Sequence, residues 1–408
     1  MRVWGDEEPM FRDDYESFVC PECVDDEILQ AAIGDELEDE ACSFCSGGNG
    51  APLRVALEVV DRYLKFHYSD PGEELPHVSA EGGYQGNVEY ATEIVADLGV
   101  WRGDELSEAV SGAFAGVLLA KKDYFGTSRF DELSGGWRAF AETIMHRKRF
   151  VFLRERARRN TGYVPVARML PVLGQLFRSA ELLTRLPAGA QFVRARVVKA
   201  GERLTRASEV GTAPNDRATY PNRMSPAGIA MFYGAEDEAT AVVETHTPEP
   251  GEPRDLALAT FKTLRGLRVL DLTNLPPVPS MFDLARFGEA QAFTFLKEFE
   301  RSFTAPVERD GRAHFEYAPT QVVAEYVRYE LRTRAGRMDG ILYRSARSPK
   351  GRKAIVVFAE ALQCLPHEGR DWSSPEPLLE LVALRHLPEN SFRYPTGKGK
   401  KDDGPSGP

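Results

Sequence analysis

The chain has little histidine, little cysteine beyond its first 45 residues, and no long apolar run. Of its 408 residues, 7 are His and 5 are Cys. No apolar stretch approaches the ~18–20 residues that a membrane helix needs, so no span is expected. The start, Met1-Arg2-Val3-Trp4-Gly5-Asp6-Glu7-Glu8, lacks the basic opening of a secretory or transit peptide, and the expected location is the cytoplasm. No glycine fingerprint of the Rossmann or P-loop kind falls in a strand–turn–helix setting, which argues against a hydride-transfer or P-loop site. There is no internal repeat.

What is present is lopsided. The formal net charge is −11, yet the first 50 residues hold 15 Asp/Glu against Arg2 and Arg12, so the other 358 are near neutral. Hydrophobic content of 42% and aromatic content of 10% belong to an ordinary globular protein, long enough for two or three domains.

Four of the cysteines form Cys20-x2-Cys23 and Cys42-x2-Cys45, with 18 residues between the pairs. Two such knuckles fit a tetrahedral zinc site, and four thiolates leave no position for water, so the metal would be structural. A pair of disulfides or a redox C-x-x-C is the rival reading. It is disfavoured because no βαβ pattern surrounds the cysteines and the cytosol keeps such thiols reduced. Cys364 stands alone and is expected to fill a core gap.

From about residue 51 to 187 the pattern is helical. Leu53, Ala56, Leu57, Val59, Val60, Tyr63 and Leu64 recur at spacings of three and four. Val88–Gly99, Leu106–Leu119, Gly136–Phe150 and Met169–Leu186 read as further helices. After residue 188 the character changes to short β-rich runs at Phe192–Val198, Ala230–Tyr233, Leu267–Leu272, Gly340–Tyr343 and Ala354–Ala359. Helical segments Glu238–Glu244 and Thr320–Thr333 lie between them. The order predicts an α+β arrangement with a mixed sheet. The expected organisation is a zinc knuckle over 15–50, a helical domain over 51–187, a sheet domain over 188–365 and a C-terminal extension over 366–408. The Gly/Pro/charge-rich tail from Tyr394 is expected to be disordered.

Two stretches are basic. Residues 194–223 carry seven Lys/Arg against three acids, and residues 328–353 carry nine against two. A basic island in an acidic protein suggests a small polyanionic ligand rather than a nucleic-acid footprint.

The first island holds Phe192-Val193-Arg194-Ala195-Arg196, Asn222-Arg223-Met224-Ser225-Pro226-Ala227-Gly228, Phe232-Tyr233-Gly234-Ala235 and Ala241-Val242-Val243-Glu244. The second region holds Tyr317-Ala318-Pro319-Thr320-Gln321 and Asp339-Gly340-Ile341-Leu342-Tyr343-Arg344-Ser345. These ordered blocks resemble the RES domain, named for an Arg, a Glu and a Ser. Asn222 departs from the family's usual Gly, which weakens the predicted turn. The Trp137–Phe152 block, with the cysteine knuckles, resembles the HEPN-type amino-terminal domain fused to some RES domains.

The resemblance implies a fold similar to ADP-ribosyltransferases and cleavage of NAD+ at the nicotinamide–ribose bond, with NAD+ as substrate and phosphate, water or a protein side chain as acceptor. It implies Arg194, Glu244 and Ser345 as catalytic residues and Arg223, Tyr233, Arg196 and Tyr343 as contacts to NAD+ or phosphate. Of the pair Arg194 and Arg196, only one is expected to enter the pocket. Cys20, Cys23, Cys42 and Cys45 would hold the zinc. The implied role is a toxin or defence effector that degrades NAD+, with an antitoxin or regulatory partner and a homo-oligomer built through the helical domain. Two alternatives stand beside it: a protein ADP-ribosyltransferase of the same fold, and a HEPN-type RNase or nucleic-acid sensor using Arg62 and His67, an R-x4-H spacing.

Overall fold

A computed structural model describes residues 8–12, 16–45, 47–75, 77–78, 83–84, 86–122, 128–152, 162–245, 254–305, 312–348, 351–364, 375–388 and 391–392. The expected disordered tail from Tyr394 lies outside them. By packing, the chain divides into two compact units. One comprises Met1–Arg129 with Pro277–Ala292, the other Phe130–Pro276 with Phe293–Pro408.

In the first unit, the helix Leu53–His67 buries Leu53, Ala56, Leu57, Val59, Val60 and Leu64, as the spacing predicts. Asp61 sits on the same buried side. Its carboxylate accepts from Met10 N at 2.9 Å and pairs with Lys65 Nζ at 2.9 Å, so it is buried but not orphaned. Val88–Gly99 and Leu106–Leu119 are only partly helical. Helices Ala91–Ala96 and Asp104–Ala113 alternate with strands Val88–Tyr90 and Leu118–Lys121; in a three-stranded sheet Leu118–Lys121 is central, flanked by Val88–Tyr90 and Tyr68–Ser69. The second helix stops at Ala113, and Gly116, at a left-handed φ of +84°, turns the chain before the strand Leu118–Lys121. The Pro277–Ala292 segment returns to this unit: Phe282 joins its core, with its ring 5.4 Å from Tyr63.

The second unit is built on an eight-stranded mixed sheet. Its strands are β1 (Leu183–Leu186), β2 (Gln191–Lys199), β3 (Phe232–Ala235), β4 (Arg254–Thr263), β5 (Leu267–Asp271), β6 (Gly340–Arg344), β7 (Lys353–Val357) and β8 (Leu379–Pro388). Their order is β8-β4-β2-β3-β7-β6-β5-β1; β5 and β6 run parallel and every other neighbouring pair antiparallel. Side-chain alternation splits the core in two. Phe192, Phe232, Ala257, Ala259 and Phe261 pack on one side, while Val193, Ala195, Leu256 and Leu258 pack on the other with Ala241 and Val242. The sequence reading misses β4, whose Asp255–Ala259 are all buried: a strand covered on both faces shows no alternation. It also misses β8, which lies in the segment set apart as an extension. The helix Arg129–His146 packs here from Phe130 onward, with the Trp137 ring 5.0 Å from Phe299. Cys364 is buried in the core, as expected.

Candidate active site

Strands β2 and β3 are neighbours for one residue pair only, Val193 and Ala235. Beside that short ladder, the sheet opens into a cavity of about 650 Å³ lined by Val193, Arg194 and Ala195 of β2 and Tyr233, Gly234 and Ala235 of β3. The segment Arg217–Arg223 with Ser225, Glu244, Tyr317, Tyr343 and Arg347 completes most of the wall. Among the described residues, four arginines and a single carboxylate, that of Glu244, line the cavity.

The loop that carries Arg223 closes on itself. Asn222 N donates to Ser225 O at 2.8 Å and Ser225 N to Asn222 O at 3.3 Å. Asn222 is not among the residues at positive φ, so the turn forms without the glycine that the family usually has. Gly228, at φ +85°, is where the loop does use a left-handed turn. The start of the helix Ala318–Tyr329 fastens this loop from across the chain. Thr320 Oγ1 donates to Arg223 O, and Gln321 Nε2 donates to Asn222 O at 2.9 Å. The guanidinium of Arg223 donates to Phe303 O at 3.2 Å and lies 5.5 Å from the Tyr317 ring centre. Two sequence blocks about a hundred residues apart thus make one wall.

Arg194 and Arg196 are two apart, hence on the same strand face but about 6.6 Å apart along it. Arg194 is half-buried, donates to Tyr233 O at 3.1 Å and lies over the Phe232 ring at 5.5 Å. Burial disfavours its charge and draws its pKa down, though a guanidinium remains protonated. Arg196 is exposed, donates to Glu209 O and does not line the cavity.

Glu244 ends the helix Glu238–Thr245, and the hydroxyl of Ser345 donates to its Oε1. Ser345 is 1% exposed and accepts from Ser348 N at 3.1 Å. Its hydroxyl proton is directed to the carboxylate, and Ser345 is not among the cavity-lining residues. Tyr233 lines the cavity with its hydroxyl anchored on Ser225 Oγ at 2.9 Å, and burial pushes its pKa up to about 12. Tyr343 is 4% exposed, and burial, then the nearby Glu244 charge, raises its pKa well above the ordinary value. Both phenols stay neutral at physiological pH and can donate hydrogen bonds.

Sequence reasoning missed Arg347, Tyr317, Arg217 and Tyr220 as cavity residues. Arg347 donates to Val243 O at 3.3 Å, next to Glu244, yet it entered the sequence reading only as a contribution to charge. Tyr317 lay inside a recognised block but was given no role.

In the other unit, the thiols of Cys20, Cys23, Cys42 and Cys45 all lie within 4.8 Å of one another and could hold a metal ion. Cys20 Sγ is 3.7 Å from Cys23 Sγ and 3.5 Å from Cys45 Sγ, and Cys23 Sγ is 3.7 Å from Cys42 Sγ. Zn–S bonds of about 2.3 Å set tetrahedral edges near 3.8 Å, so the donor set fits zinc. None of the four is in a disulfide. Burial and the neighbouring Cys45 raise the Cys23 pKa; burial also works against Cys42, but N–H donors of Phe44 and Cys20 bring that thiol down to about 7.

His67 lies among Tyr63, Phe66 and Phe287, with ring centres 4.6 to 4.9 Å away. Burial, then Lys121 and Lys122, lowers its pKa to about 4. That is poorly matched to base catalysis at neutral pH. Arg62 is exposed.

Among the described residues, no helix is long and apolar enough to cross a membrane. No curated protein matches the chain. Two family models do: HEPN/RES N-terminal domain 1 over residues 35–158 and the RES domain over residues 195–375. The first begins after Cys20 and Cys23, while the second spans Glu244 and the rest of the cavity from Ala195 onward. The chain belongs to the RES-domain family, with a HEPN/RES N-terminal domain ahead of the RES domain.

Proposed function

We propose that this protein cleaves NAD+ at the nicotinamide–ribose bond, with phosphate or water as acceptor, and acts as a toxin or defence effector in the cytoplasm. At the family level, the RES domain points to a toxin-like, NAD-acting enzyme. The observation that carries the finer reading is the lining of the cavity: arginines for phosphates, and one carboxylate, Glu244, oriented by Ser345.

The chemistry suits those groups. As the C1″–N bond breaks, its electron pair leaves with the ring nitrogen, and the positively charged nicotinamide departs neutral. The leaving group therefore needs little acid help; the barrier lies in the oxocarbenium-like ribose. Glu244 would stabilise that positive charge, while Tyr343 and Tyr233 supply neutral donors and aromatic faces. Arg194 and Arg223 would hold the pyrophosphate, since guanidinium offers planar paired contacts to phosphate oxygens. Arg347 would strengthen the same positive field. An acceptor oxygen then bonds to C1″, from phosphate to give ADP-ribose-1″-phosphate or from water to give ADP-ribose and a proton. Zinc held by the four cysteines would serve the fold of the first unit only. An antitoxin or regulatory partner and a homo-oligomer built through the helical region complete the proposal.

Purified protein incubated with NAD+, with and without inorganic phosphate, tests the reading by product analysis. ADP-ribose-1″-phosphate formed only with phosphate means a phosphorylase. Free ADP-ribose in both samples means a hydrolase. NAD+ left intact by the purified protein alone, but converted to nicotinamide and ADP-ribosylated polypeptide once a lysate is added, would replace the reading with a protein ADP-ribosyltransferase.

A further inference from the structure

The cavity has a buried end and an exposed end. At the buried end, Tyr343 is 4% exposed and feels the charge of the half-buried Glu244. At the other end, the segment Arg217–Pro221 forms a rim on which Tyr220 is 83% exposed although it lines the cavity. Single exposed apolar side chains are ordinary on a protein surface. Here the aromatic side chain lines the same cavity as Arg217, which is also exposed, and among the described residues the one lining carboxylate is that of Glu244. An aromatic ring and a guanidinium lining the lip of one cavity make the kind of surface that a nucleobase with its phosphate fits.

Resting on the reading of this site as an NAD+-cleaving one, a direction follows. The bond to be broken must lie beside Glu244, at the buried end. The remainder of a dinucleotide has to run past the arginines and leave towards the rim. We infer that Tyr220 and Arg217 form the subsite for the adenosine monophosphate half of the substrate, with Tyr220 stacking on the adenine and Arg217 meeting the adjoining phosphate. The rim thereby sets selectivity for a dinucleotide over nicotinamide mononucleotide, which lacks that half.

Two measurements on the full chain test this. The first is binding of AMP alone, by calorimetry, which needs no turnover. Tyr220→Ala should weaken AMP roughly tenfold, Arg217→Ala should weaken it as well, and Tyr220→Phe should retain it, because stacking needs the ring and not the hydroxyl. The second is the ratio of kcat/KM for NAD+ to that for nicotinamide mononucleotide, which should fall by a similar factor in Tyr220→Ala. Tyr220 is so exposed that its replacement leaves the fold intact. A wild-type protein that does not bind AMP, or a Tyr220→Ala variant that binds it as the wild type does, overturns the subsite whatever the activity on NAD+. AMP binding with the expected pattern in a protein that leaves NAD+ intact keeps the subsite and removes the cleavage reading instead.

Discussion

The two units each gather like groups that repel, and they manage the repulsion differently. In the first, four thiols crowd within 4.8 Å of one another. Such a cluster cannot ionise fully without a cation at its centre. In the second, three of the four cavity arginines are held by backbone carbonyls: Arg194 by Tyr233 O, Arg223 by Phe303 O and Arg347 by Val243 O. A carbonyl orients a guanidinium without cancelling its charge, so the cavity stays positive and open. One cluster is arranged to be completed by a metal and sealed, the other to receive an anion and release it.

The largest effect expected from breaking this contrast is on the sealed side. Binding of structural zinc is worth about 10–16 kcal/mol of apparent free energy in small cysteine sites, and that energy is folding energy. Zinc analysis should find one ion per chain. Chelation under reducing conditions, or Cys23→Ser, should abolish the cooperative melting of the first unit; an unchanged melting curve would show that the cysteines hold no stabilising metal.

On the open side, Glu244→Gln should lower kcat roughly 100- to 1,000-fold, the usual cost of removing one preorganised electrostatic group, with the melting temperature unmoved. Comparable turnover in the variant would remove Glu244 from the reaction. Arg194→Ala and Arg196→Ala then sharpen the point that lining the cavity, not lying in the motif, decides a role. Losing a charged hydrogen bond costs about 1.5–3 kcal/mol, so kcat/KM should drop by about 10- to 150-fold for Arg194→Ala and stay within a few-fold for Arg196→Ala. Equal losses would place both side chains on the substrate.

The smallest effect is an acid sensitivity in the first unit. Because the folded pKa of His67 lies near 4, below its ordinary 6.5, its contribution to stability is present above pH 6.5 and is lost as pH falls towards 4. His67→Phe should flatten the decline of the melting temperature across that interval. A decline as steep as in the wild type would assign the acid sensitivity to other groups.

Much of the fold was legible in the sequence wherever a local period exists. The Leu53–His67 helix and strands β2, β6 and β7 follow their apolar spacing to within a few residues. Strand β4 was not legible, because burial on both faces erases alternation, nor was β8, whose burial is irregular and whose place is set by pairing with β4. The stretch after Ala113 was read as helix, but the chain turns through the left-handed Gly116 into the strand Leu118–Lys121. In the candidate site, Arg194, Arg223, Tyr233, Glu244 and Tyr343 were named from ordered motifs, and all five line the cavity. Arg196 was named with them and lies outside. Arg347 and Tyr220 carried no signal beyond charge and aromaticity, since nothing local tells a lining side chain from a solvated one.

By itself the sequence determined the spacing of the two cysteine pairs, the alternation along the central strands and the order of the RES blocks, all of which are short-range properties of the chain. Only the tertiary structure decided that Pro277–Ala292 packs with the first unit, that β2 and β3 part after one residue pair to open a cavity, and that Ser345 is paired with Glu244 across 101 residues. Those outcomes follow from burying apolar area and satisfying buried polar groups between distant segments, and neither condition is written in any one of the segments alone.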